Sequence, residues 1–75
     1  MLYFKNESRH TRYNEETGEL VHIFTVNNDL SLSVQMIDLS QNDLMKTSLA
    51  ANATAIEAAE FSTFLDPIKT RLTAL

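Results

Sequence analysis

The sequence contains no cysteine and no tryptophan, and it has a single glycine and a single proline. The absence of cysteine excludes a disulfide-stapled scaffold and any zinc site built on thiolates. No apolar run approaches the roughly 18 residues that a membrane-spanning helix needs. The chain also lacks a glycine-rich phosphate loop and a serine in a nucleophile-elbow context, so the usual enzyme motifs are missing. We therefore expect a cytoplasmic protein that is not an enzyme, has no catalytic residue, needs no cofactor and contacts no membrane.

The size and charge of the chain narrow its expected partners. It has 75 residues, of which 44% are hydrophobic and 21% charged, and its net charge is −4. These values predict one small folded domain over residues 1–75. A single core of this size yields only about 3 to 5 kcal/mol of stability, so association with another protein or with itself is the expected support. Nucleic acid is a poor candidate, because phosphate contacts require a basic surface.

Period-two alternation through the first half of the chain predicts three antiparallel strands. They cover residues 2–13, 20–26 and 30–37, which places the sheet at about 2–37. Gly18 falls in the first hairpin loop, where a positive φ angle is required. The second loop leaves two registers open: a three-residue loop, which we favour, pairs Phe24 with Leu32, whereas a two-residue loop pairs Ile23 with Leu32.

The second half of the chain has helical periodicity. A capping-box pattern at Ser40–Asp43 and an alanine-rich run predict a long helix over about 41–63. Asp66 and Pro67 are typical of a helix start, which predicts a short helix over 67–75 and a break near 62–67. The predicted fold class is α+β: a three-stranded antiparallel sheet packed on one long helix with a short C-terminal helix, in the order β-β-β-α-α.

The predicted elements carry more apolar surface than one sheet and one helix can cover. The second strand is apolar on both sides, and the apolar stripe of the last third of the chain is rotated by about 115° from that of the long helix. Interfaces favour aromatic residues at their buried centres. These observations predict a protein interface whose candidate residues are Val21, Ile23, Phe61, Phe64, Leu65, Ile68 and Leu72.

The first predicted strand is the one locally basic region. Its candidate contacts to nucleic acid are Lys5, Arg9, Arg12 and Tyr13, because interleaved cations and aromatic rings bind phosphates and bases. A three-stranded sheet followed by a helix resembles, in predicted topology, the sheet-reading DNA-binding domains of some integrases and plant transcription factors. The alternative is that these charges solvate an exposed edge strand and discourage aggregation. We favour this alternative.

Two histidines are the remaining candidates for chemistry. His10 and His22 lie on adjacent predicted strands and face each other if Arg12 pairs with Leu20. No carboxylate or cysteine stands at the spacing that zinc sites show, so no metal site is predicted.

The predicted function is that of a small protein-interaction module that binds and occludes a partner protein. Compact, acidic, cysteine-free proteins of this kind resemble accessory proteins of phages and mobile elements, including inhibitors of host machinery. This resemblance implies an accessory or inhibitor role. The small core and the excess apolar surface make a homodimer the expected state. Two alternatives stay open: a structural or assembly subunit of a larger homo- or hetero-oligomer, and a nucleic-acid-binding domain that uses the basic first strand.

Overall fold

Strand-forming and turn-forming residues alternate along the first half of the chain, and four strands form there in the computed structural model, which describes residues 1–72. The strands are β1 (Leu2–Lys5), β2 (Arg9–Tyr13), β3 (Glu19–Val26) and β4 (Asp29–Met36). A short 3₁₀ helix at Leu39–Gln41 then leads into α1 (Asn42–Asn52), β5 (Thr54–Ile56), α2 (Ala58–Leu65) and a second 3₁₀ helix at Lys69–Arg71.

The five strands form one antiparallel sheet in the order β4-β3-β2-β1-β5. The predicted three-stranded sheet is therefore wrong, although the general α+β class holds. Two strands were missed, one within the first predicted strand and one within the predicted long helix.

The first predicted strand, 2–13, is two strands joined by a tight turn. The Asn6 N–H donates to the Arg9 carbonyl oxygen at 2.9 Å, and the Ser8 N–H donates to Asn6 Oδ1 at 3.3 Å. Asparagine and serine promote such turns because their side chains bond the local backbone. The alternation of apolar residues continues on both sides of the turn, which is why the pattern indicated one long strand.

The predicted helix over 41–63 is interrupted at Ala53, where the backbone is extended with φ −150° and ψ 166°. The next three residues form β5, which pairs with β1 so that Phe4 lies opposite Ala55. The alanine-rich run favours a helix by intrinsic propensity, but pairing with the otherwise open edge of β1 overrides that preference. The prediction of one long helix is wrong for this reason.

The C-terminal prediction also needs correction. Asp66 does not start a helix; it ends α2, with its N–H donating to the Ser62 carbonyl oxygen. The segment that follows forms the 3₁₀ helix Lys69–Arg71 instead of the predicted helix over 67–75, and residues 73–75 of that prediction lie outside the described residues. The chain does leave α2 within the predicted break at 62–67.

The hairpin between β3 and β4 adopts the register that we did not favour. Asn27 and Asn28 have positive φ angles of 53° and 68°, so they form a two-residue turn that pairs Ile23 with Leu32. Two successive residues in the left-handed region give the turn whose twist matches the strands, and asparagine tolerates this conformation well.

The prediction for Gly18 is confirmed. Its φ angle is +84°, and a Cβ atom built on it would lie 2.1 Å from the carbonyl oxygen of Ile37. The Gly18 carbonyl oxygen accepts from the Ile37 N–H at 2.7 Å. Gly18 thus permits the chain after β4 to lie against the loop between β2 and β3.

The start of α1 differs from the predicted capping box. Asp38, not Ser40, acts as the cap, because Asp38 Oδ1 accepts a hydrogen bond from the Ser40 N–H at 2.9 Å. Hydrogen bonds from the backbone and the side chain of Ser40 lower the pKa of the Asp38 carboxyl. This cap starts the 3₁₀ helix, and α1 follows from Asn42 without a side-chain cap of its own.

A helix packs on each face of the sheet. The first face is covered by α1, and its buried residues are Phe4, Tyr13, Leu20 and Leu49. The second face is covered by α2 and the 3₁₀ helix after it, and its buried residues are Val21, Ile23, Phe61 and Leu72. β5 takes the chain from one face to the other. No helix within residues 1–72 is both long enough and apolar enough to cross a membrane.

Candidate functional site

The seven candidate interface residues meet in the second core cluster, packed on one another. Val21, Ile23, Phe61 and Leu72 are buried there, and Phe64, Leu65 and Ile68 are partly buried against them. The rings of Tyr3 and Phe61, which are tilted by 43° with centroids 4.9 Å apart, belong to the same cluster. A partner could therefore reach this surface only by displacing α2 and the 3₁₀ helix that follows it.

The four candidate nucleic-acid contacts do not form one surface. The strand register places Lys5 and Arg12 on the second face and Arg9 and Tyr13 on the first. Lys5 Nζ forms an ion pair with Glu60 Oε2 at 2.6 Å. Tyr13 is fully buried, and its hydroxyl donates to an Asn42 side chain at 2.7 Å. The five-stranded sheet also removes the topological basis of the resemblance to sheet-reading DNA-binding domains.

The two histidines lie on opposite faces of the sheet, because Arg12 pairs with Val21 instead of Leu20. The His10 ring stacks on Phe64 with centroids 3.5 Å apart, whereas His22 Nδ1 forms a hydrogen bond with the Thr11 hydroxyl at 2.9 Å. Within residues 1–72, no three His, Cys, Asp or Glu side chains are placed so that they could hold one metal ion.

Both histidines have a pKa below the usual 6.5. Burial is the largest cause for each; the charge of Lys5 adds to it for His10, where Glu60 opposes the shift, and the charge of Arg9 adds to it for His22. Each imidazole is therefore favoured in its neutral form in the folded protein.

These lowered pKa values predict that the protein loses stability as the pH falls. Below the unfolded-state pKa of 6.5 the unfolded chain binds more protons at these sites than the folded chain does, so the free energy of unfolding decreases. We expect urea denaturation to show this decrease between about pH 7.5 and about pH 5.5. Replacing both histidines with glutamine should flatten the dependence in this range, and an unchanged slope would contradict the assignment.

β4 forms an open edge of the sheet. The Ile37 N–H donates to the Gly18 carbonyl oxygen, so the odd-numbered residues of β4 direct their backbone groups toward β3. In an antiparallel pair the intervening residues direct theirs outward. The outward-directed backbone groups therefore belong to Leu30, Leu32, Val34 and Met36, and no strand within residues 1–72 pairs with them.

The side chains of these same four residues all lie on the second face of the sheet. Leu30 and Leu32 are partly buried against the second core cluster, while Val34 is 49% and Met36 68% exposed. Leu39 and Leu44, near the start of α1, are also exposed. We refer to Leu30, Leu32, Val34 and Met36 as the β4 edge.

The β4 edge lacks the features that usually protect an open strand. Residues 30–37 contain no charge and no proline, and natural edge strands are commonly blocked by lysine, proline or a bulge. The opposite edge is β5, which has only 3 residues and is therefore short enough to be a poor template for pairing. An added strand can therefore pair along β4 but finds little to pair with along β5.

A second candidate site is a groove on the first face, between α1 and the strands that α1 leaves uncovered. Its volume is about 480 Å³, within the range of small-ligand sites. It is lined by Asn6, Arg9, Leu20, His22, Gln35, Met45, Ser48, Leu49 and Asn52. Its residues are polar around a small apolar floor, and none of them is acidic.

Sequence reasoning missed the β4 edge, and it singled out Arg9 as a phosphate contact without bringing the residues of the groove together. The β4 edge had a readable signal, namely a long alternating strand without charge or proline, but a three-stranded sheet gives no reason to choose that edge over the other. The groove had no local signal, because its residues come from four separate parts of the chain.

No protein-family model matches this chain, and comparisons with curated proteins and with solved structures find no match either.

Proposed function

We propose that this chain is a non-enzymatic protein-interaction module that binds through the β4 edge. One observation carries the proposal: the residues that direct unpaired backbone groups outward are the ones that carry apolar side chains on the second face. A strand that adds to this edge gains main-chain hydrogen bonds and apolar contacts together.

The partner that fits this edge best is a second copy of the chain. When two β4 edges pair antiparallel, only outward-directed residues can exchange hydrogen bonds, so even-numbered residues must lie opposite even-numbered residues. Every allowed register therefore brings Leu, Val and Met side chains together on one face. A register centred on Ser33, for example, places Val34 opposite Leu32 of the other copy.

Charge does not oppose this pairing. The nearest charged residues are Asp29 at the start of β4 and Asp38 beyond its end, so a register centred on Ser33 brings no like charges directly opposite each other. The product is a twofold dimer with a continuous ten-stranded sheet, the symmetric form that is commonest among homo-oligomers. It shelters Val34 and Met36, which are exposed in the single chain.

The test is the mass of the protein in solution, measured by light scattering over a concentration series. We expect a dimer for the unchanged chain. Val34→Lys places a charge among the apolar side chains of the edge, a device by which natural strands prevent pairing, and should weaken dimerisation about tenfold or more, because each dimer contains the change twice. Ser31→Lys is the matched control: it adds the same charge to the same strand on the other face, and it should leave the dimer intact.

A second variant tests the backbone directly. Val34→Pro removes an outward-directed N–H, which costs the fold no bond within the sheet and is tolerated at edge positions, so a folded monomer is expected. A monomeric unchanged chain would overturn the self-pairing, and capture of an extended peptide at the same edge would then identify a different partner. A dimer that survives both Val34 changes would place the interface elsewhere and overturn the proposal.

A further inference from the structure

The groove on the first face contains a cation that has no acidic partner. Among the six lysines and arginines, all of which lie within residues 1–72, the other five contact a carboxylate or a backbone oxygen: Lys5 with Glu60, Arg12 with Glu19, Lys46 with Glu15, Lys69 with Asp66 and Arg71 with Asn28. Arg9 alone has no such contact in this part of the chain, although the protein has ten acidic residues.

The Arg9 side chain is also partly withdrawn from solvent. Its Nε is buried and has no hydrogen-bond partner among the described residues. Buried polar atoms are nearly always hydrogen-bonded, and a charged donor without a partner destabilises the fold. The Arg9 guanidinium thus lacks an acceptor in this part of the chain, and an anion in the groove would supply a charge-assisted hydrogen bond to it.

The neighbours of Arg9 in the groove suit a negatively charged group. His22 lies on the next strand and is close enough that the charge of Arg9 contributes to its lowered pKa. Asn6 contributes an amide group and Ser48 a hydroxyl group to the lining, whereas the Asn52 amide donates to the Ser48 carbonyl oxygen at 2.8 Å. No carboxylate lines the groove, and Arg9 is the one charged residue of its lining.

We propose that this groove binds a small oxyanion, a carboxylate or a phosphate, with the Arg9 guanidinium as its principal contact. The planar fork of an arginine side chain matches the geometry of both anions and binds either one by two parallel hydrogen bonds. The volume of about 480 Å³ allows the anion to be one end of a larger ligand. The site is separate from the β4 edge, so it stands independently of the proposed dimer.

The experiment is a titration of the full chain with inorganic phosphate and, separately, with acetate at constant ionic strength, followed by nuclear magnetic resonance. We expect the Arg9 Nε–H and His22 ring signals to shift and saturate. Saturation with phosphate alone identifies a phosphate ligand, and saturation with acetate alone identifies a carboxylate ligand. Saturation with each of them means that the groove accepts either anion. Signals that shift only linearly with either anion would overturn the site.

Matched variants locate the binding. Arg9→Gln should weaken it about tenfold or more, because a charge-assisted hydrogen bond is lost. Arg12→Gln, which removes a cation from the opposite face, should leave it unchanged. If Arg9→Gln does not fold, Ser48→Leu is the second variant. It places a bulky apolar side chain in the groove from an exposed helical position, and it should also abolish saturable anion binding. Equal binding by the unchanged chain and by Arg9→Gln or Ser48→Leu would overturn the proposal.

Discussion

Gly18→Ala is expected to unfold most of the protein. The added Cβ would lie 2.1 Å from the Ile37 carbonyl oxygen, a backbone atom, and the φ angle of +84° is itself unfavourable for alanine. The loop cannot easily move, because the Gly18 N–H donates to the Asn14 carbonyl oxygen and its carbonyl oxygen accepts from Ile37, both at 2.7 Å. The left-handed backbone costs about 1 to 2 kcal/mol, and the clash raises the expected loss to about 3 kcal/mol or more, comparable to the whole stability of a domain of this size.

Urea denaturation followed by circular dichroism measures this loss, and Asn28→Ala is its control. Asn28 also has a positive φ angle, 68°, but it is exposed in a turn. That variant should therefore lose only the cost of the left-handed backbone, about 1 kcal/mol. If Gly18→Ala is no more destabilising than Asn28→Ala, then the contact with Ile37 is not rigid.

Phe61→Ala is expected to produce the other large loss of stability. The ring is 3% exposed and packs against Tyr3 and Phe64, with ring centroids 4.9 and 6.3 Å away. Truncation of a buried phenylalanine removes apolar contacts and leaves a cavity, which costs about 3 to 5 kcal/mol. Because this ring is the main buried anchor of α2, the change should detach that helix from the sheet.

Phe24→Ala is the matched control for Phe61→Ala, since Phe24 is only partly buried on the first face and its loss should cost about 1 kcal/mol. Both variants are compared by urea denaturation. A loss below about 1 kcal/mol for Phe61→Ala would mean that α2 is not packed on the sheet. The seven candidate interface residues, which lie in the second cluster, would then be available for the protein interface predicted from the sequence.

The parts of the fold that could be predicted from the sequence are those that depend on local chemistry. Gly18 marks a loop that only glycine fits, and the alternation from Leu30 to Met36 identifies β4 almost to the residue. β5 could not be predicted, because Thr54–Ile56 lies in a run of good helix formers. Its extended conformation depends on pairing with β1, some fifty residues earlier in the chain, and local propensity carries no information about such a partner.

The same missing strand explains why the excess apolar surface was taken for an interface. Rotated stripes such as those of Leu49 and Phe61 indicate two different packing surfaces, and without β5 the chain has no route from one side of the sheet to the other. With β5 in place, the two stripes pack on opposite faces of the same sheet, and β3 contributes buried residues to both faces. The apolar character of β3 on both sides was therefore a sign of a three-layered fold.

The pairing of β1 with β5 also has a consequence for the order in which the molecule folds. β2, β3 and β4 form a meander of short-range contacts that can assemble early, since closing a short loop costs little entropy. β1 can join it through β2, but β5 must wait until about twenty residues beyond β4 have been made. During synthesis on the ribosome, the second face of the meander therefore stays uncovered until α2 emerges, and this is the interval in which the chain is most exposed to misassociation.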